Sequence, residues 1–177
     1  MIYNENENEN NYEDGSFESE GRTVHYKHKV LDKNIEQEFL NLSDKDKEFI
    51  QYSLGDAEDL LSLLPEKKTL SDFIAKDLDQ LIYLWNNKRL KSDLFTETEF
   101  VNAIGSAFGH YLNKEVDTIW TIVNDEYGTD FSCIGRTHKF QLYPFSSVWK
   151  AIEQNREDSL NAIVLIVKNN KEEYDKR

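Results

Sequence analysis

A chain of 177 residues with 38% hydrophobic and 12% aromatic content is long enough to bury one ordinary core, and its length fits a single domain. A net charge of −13 with no lysine or arginine run excludes nucleic acid as the expected partner, and the single cysteine, Cys133, excludes an internal disulfide framework and fits a reducing compartment. The opening Met-Ile-Tyr-Asn-Glu lacks the basic and apolar regions of a secretory signal, and the longest strongly apolar stretch, 162–167, is far short of a membrane span, so a cytoplasmic protein without membrane contact is expected.

Residues 1–21 hold seven of the 34 acidic residues and none of the 21 basic ones, leaving −6 over 22–177. With the asparagine–glutamate run at 4–11, this segment cannot bury enough apolar surface to offset the entropy of ordering, and it reads as a disordered, acidic, low-complexity tail. Residues 22–42 read as an extended arm or edge strand, because Val24, Tyr26, His28 and Val30 alternate with polar or charged residues. A single domain is expected over 43–177.

Within it, Ser43 caps a predicted helix with Asp44 and Asp46 in the first turn and an apolar face of Phe49, Ile50, Leu54, Leu60, Leu61 and Leu64, stopped by Pro65. Ser71 is the next predicted cap, before Phe73, Ile74, Leu78, Leu81, Ile82 and Trp85 at helical spacing. Thr96 and Glu99 form a capping box for a helix to about Leu112. From Asp117 the residues become β-branched and aromatic, predicting a three-stranded meander over 119–123, 130–134 and 138–143. Gly128 and Gly135 fall at its connections, where positive φ is cheap for glycine, and Pro144 closes it. Two helices follow, one from Ser146 or Ser147 carrying Val148, Trp149 and Ile152, the other from near Glu157 carrying Leu160, Ile163, Val164 and Val167.

The order predicts an α+β fold in which the helix over 96–112 covers a sheet too small to stand alone. Gly105 and Gly109, four apart, bare one face of that helix for close packing, with a ligand contact as the alternative use. Taken together, the helix Phe100-Val-Asn-Ala-Ile-Gly-Ser-Ala-Phe-Gly-His-Tyr-Leu112, Trp120, the Asp125-Glu-Tyr-Gly128 turn and the segment Leu142-Tyr-Pro-Phe-Ser-Ser-Val-Trp-Lys150 resemble a family of bacterial domains catalogued as domain of unknown function 3806, over about residues 70–168. The resemblance implies a bacterial origin and an α+β fold, and carries over no catalytic residue.

The candidate site residues are Asp125, Glu126, Tyr127 and His138. Carboxylates around a glycine turn, with Asp130 beside them, can hold calcium or serve as acid and base, but the full ligand sequence of a calcium loop is missing and turn aspartates commonly bond their own backbone. Tyr127 at the tip is the aromatic residue expected to be exposed, while Trp85, Trp120 and Trp149 read mainly as core. His25 and His28 have a spacing that can bind a metal in an extended strand, although no cysteine pair accompanies them, and Cys133 with His138 can be drawn as a thiolate pair but reads better as packing. No metal and no cofactor are expected.

The preferred functional reading is a non-catalytic module that binds another, basic protein, including an immunity-type factor that masks a toxin. The rival is a small-ligand receptor or hydrolase-like enzyme with a site between the helix over 96–112 and the meander. A third reading has the last helix self-associating through Ile163, Val164 and Val167.

Overall fold

The structure is a computed structural model and describes residues 12–19, 22–29, 36–90, 94–138 and 140–175. The chain divides into two compact units, residues 1–37 and residues 38–177.

In the first unit, β1 (Tyr12–Ser19) and β2 (Arg22–Lys29) form an antiparallel hairpin closed at Ser19 and Arg22, with Asp14 opposite Lys27. The disordered tail read from composition through residue 21 therefore meets a strand at Tyr12–Ser19. Strand pairing satisfies backbone donors and acceptors without requiring a hydrophobic run in both partners, which is why composition gave no sign of it. The asparagine–glutamate run lies outside the described residues.

The second unit begins earlier than the sequence boundary of 43, because β3 (Glu38–Leu40) pairs antiparallel with β4 (Thr118–Asp125) across a long separation in sequence. With β5 (Gly128–Gly135) and β6 (Gln141–Leu142) this makes a four-stranded antiparallel sheet in the order β3-β4-β5-β6. The meander is as expected, with β3 added at its edge and β6 shortened to two residues.

Five helices complete an α+β unit: α1 (Asp44–Ser62), α2 (Ala75–Asn86), α3 (Glu97–Glu115), α4 (Pro144–Glu153) and α5 (Ser159–Asp175). The starts of α1 and α3 follow the capping chemistry in the sequence. Ser43 and Asp46 bond reciprocally, as do Thr96 and Glu99, satisfying donors that the first turn leaves open.

The other three helices start elsewhere. Ser71 lies in a turn organised by Asp72, which accepts from the amide and hydroxyl of Thr69, and α2 begins only at Ala75, where Asp77 accepts the Ile74 amide at 2.8 Å. Pro144, lacking an amide hydrogen, occupies the first turn of α4 ahead of Ser146. Helix α5 starts at Ser159 because the carboxylate of Asp79 in α2 accepts the amides of Leu160 and Asn161, each at 2.9 Å.

One core runs through all five helices and reaches the sheet at Cys133, with Phe100, Ile104, Phe108, Leu78, Leu81, Val148 and Leu160 fully buried. Val164 and Val167 are buried in it and Ile163 packs against it, so the α5 face considered for self-association is used inside the unit. Helix α1 packs on α3, α3 on α4, and α2 on α5.

Candidate functional site

Two ends of the β4–β5 ribbon differ sharply. Near the start of β4, Trp120 lies against α3 at Gly109, whose Cβ, if present, would overlap the indole ring. Four residues earlier in α3, a Cβ at Gly105 would meet the ring of Phe145 from α4. Trp120, Phe131 and Phe145 contact one another, joined by Phe49 of α1 at 5.6 Å from Phe131 and 5.9 Å from Phe145 between centroids. Where the rival reading places a cleft, the described residues therefore form a close-packed four-ring interface.

Cys133 is fully buried in the same region, with its sulfur 4.0 Å from the Gly109 carbonyl oxygen. Burial pushes its thiol well above the ordinary value, so thiolate chemistry is disfavoured there. His138 lies in the β5–β6 connection, its Nδ1 2.8 Å from the Thr137 hydroxyl. Gly135 opens that connection with negative φ, unlike the expectation for it. Room is what it supplies, since a Cβ would strike the His138 carbonyl and the Phe140 ring.

At the far end, Glu126 and Tyr127 form a two-residue turn between Asp125 and Gly128. Gly128 takes φ of +125°, a conformation closed to residues with a side chain, and Asp125 accepts the Tyr127 amide at 2.9 Å. Tyr127 is 75% exposed and Glu126 is exposed. The eight residues of β5 separate this tip from His138 by roughly 25 Å at ordinary strand rise. The structure thus brings Asp125, Glu126 and Tyr127 together and leaves His138 apart.

Beside the tip lies a groove of about 400 Å³ lined by Leu40, Asn41, Ser43, Asp46, Ile122, Thr129, Asp130 and Phe131. Its floor follows from register: Leu40 pairs with Ile122 and Ile122 with Phe131, setting three apolar side chains in one row across three strands. Ser43 and Asp46 at the start of α1, with Thr129 and Asp130 of β5, complete its lining. Asp130 is half-buried, and desolvation raises its carboxyl above the usual range, opposed by the Phe131 amide at 2.7 Å and the Ser146 hydroxyl at 3.1 Å, with the Asp125 charge raising it further. Asp46 is lowered by the bonds it accepts from Ser43.

Sequence reasoning weighed Asp130 only as part of the turn and missed Leu40 and Asp46 as groove residues, because strand register and the α1–sheet approach are long-range. It also missed Asp79, 6% exposed, whose carboxyl burial pushes up to about 6 despite the Leu160 and Asn161 amides. Its spacing from Ala75 and Ile82 on an apolar helix was a usable signal. Trp149, read as core, is 41% exposed, while its neighbour Val148 is fully buried. His25 and His28 both lie in β2, opposite Ser16 and Glu13. Among the described residues no three His, Cys, Asp or Glu side chains are grouped to hold a metal ion, and no helix is long and apolar enough to cross a membrane.

No curated protein matches this sequence. Among solved structures, the chain is similar in fold to a protein from Bacteroides thetaiotaomicron whose crystal structure was solved at 1.50 Å, with 12% identity and a TM-score of 0.52 over 86% of this chain and 69% of that one. Residues 77–163, from α2 into α5, match the family model described as domain of unknown function (DUF3806).

Proposed function

We propose that the chain is a cytoplasmic, non-catalytic module that binds another protein through the β4–β5 tip. The observation that carries this reading is Tyr127, 75% exposed on a two-residue turn and preceded by Asp125 and Glu126. Aromatic side chains supply large contact area at small entropic cost, and an acidic surround selects a partner of opposite charge. Supporting it, α3 packs closely on the sheet where the rival reading puts its site, and Cys133 is buried in the core. The net charge of −13 extends the complementarity to long range and speeds encounter with a basic surface. A basic toxin, masked by an acidic immunity-type factor, is the partner class in this reading.

The test is affinity capture from the native source with the full chain and a Tyr127→Ser variant. A stoichiometric protein held by the full chain, and lost on Tyr127→Ser, is expected. If no bait holds a protein, and co-expression with products of neighbouring genes relieves no growth defect, the reading fails.

A further inference from the structure

The groove beside the tip combines features that one chemical group satisfies together. Its floor, the Leu40–Ile122–Phe131 row, is apolar, and Leu40 is 42% exposed at the sheet edge. Its lining includes two carboxylate residues, Asp46 from α1 and Asp130 from β5. We infer that the groove receives a lysine or arginine side chain of the partner protein, its aliphatic stem along Leu40, Ile122 and Phe131 and its cationic head between Asp46 and Asp130. This rests on the protein-binding reading above and assigns the partner's chemistry.

Long basic side chains present a hydrocarbon stem and a charged end, and few other groups need both a greasy floor and an anionic rim. An acidic or neutral polar group would lose hydration without gaining a counter-charge. The Asp130 oxygens accept from the Phe131 amide and the Ser146 hydroxyl, and Asp46 accepts from the Ser43 amide and hydroxyl. A carboxylate has about four acceptor positions, so both retain capacity for a cationic donor. The bonds already made hold the carboxylates in place before the cation arrives, which reduces the ordering cost of binding. Thr129 and Asp130 join the groove directly to the tip, so a partner seated on Tyr127 would reach both.

The test is a titration of the ¹⁵N-labelled full chain with blocked tripeptides whose central residue is arginine, lysine, norleucine or glutamine. Arginine and lysine peptides should give saturable amide shifts confined to Asn41, Thr129, Phe131 and their neighbours. Asp130→Asn, which keeps the shape of the side chain, should weaken them about tenfold, the size of one lost charge-assisted contact. Asn41→Lys, at an exposed position on the groove lip, should weaken them by placing a cation in the way. Equal shifts with norleucine, or binding unaffected by Asp130→Asn, would overturn the inference. The two readings fail separately. A captured partner that binds wild type and Asp130→Asn equally, with no saturation by the basic tripeptides, removes the groove assignment and leaves protein binding intact. Saturation by those tripeptides without any captured protein leaves a cation-selective groove and removes the protein partner.

Discussion

The two ends of the β4–β5 ribbon share one sheet face and have opposite surfaces. At one end Gly109 of α3 lies against Trp120 and Gly105 against Phe145 of α4, neither with room for a Cβ, and four aromatic rings fill the space. At the other, the next row of strand side chains, Leu40, Ile122 and Phe131, lines a groove with residues from the first turn of α1. Packing at one end supports exposure at the other: the tip and groove sit on a ribbon anchored by Trp120, and Phe131 belongs both to the ring cluster and to the groove. Substitutions should therefore separate stability from binding according to where along the ribbon they fall.

The largest effect is expected from Gly109→Val. Its side chain would occupy the space of the Trp120 indole, and overpacking of this kind costs about 3 kcal/mol or abolishes folding. Urea denaturation measures it, and a near-neutral result would show that α3 is not pinned on the sheet.

Asp79 tests the anchored part of the unit by pH. Burial raises its carboxyl to about 6 from 3.8. A carboxyl raised on folding favours the native state in its protonated form, so this contribution is complete below about pH 4 and is lost as pH rises through about 6, on the order of 3 kcal/mol for such a shift. The stability of wild type relative to Asp79→Asn, which does not titrate, should fall over that window. A flat difference would mean that the α5 amides compensate burial fully.

Thr96→Ala removes one half of the α3 capping box and should cost about 1 kcal/mol, with Asp46 and the groove untouched. Thermal unfolding would show it, and unchanged stability would mean that Glu99 alone secures the helix start. Smaller still, Gly55→Ala should stabilise α1 by about 0.5–1 kcal/mol, because no atom lies within 4 Å of a Cβ there. At the open end, Tyr127→Ser should alter stability by less than about 0.5 kcal/mol while abolishing partner capture. A large loss of stability from it would erase the contrast between the two ends.

Much of this was legible in the residues. The capping boxes at Ser43 and Thr96, the helical spacing behind Leu78 and Leu81, and the change to β-branched residues after Asp117 are local signals, and the corresponding elements appear with small shifts at their ends. The starts of α2 and α5 were not legible as read, since Ser71 was a competing cap and the acceptor for α5 is Asp79, distant in sequence. The tip was visible as Asp125-Glu-Tyr-Gly128, and the groove was not, because it exists only once Leu40, Ile122 and Phe131 share a row.

The sequence by itself determined the α+β order, the main helix caps, the glycine positions and the acidic balance, because each depends on neighbours a few residues apart or on composition. Tertiary structure alone decided that β3 joins the sheet and that Gly105 and Gly109 meet Phe145 and Trp120. Those outcomes depend on pairing and packing between segments far apart in the chain, which local propensity does not encode.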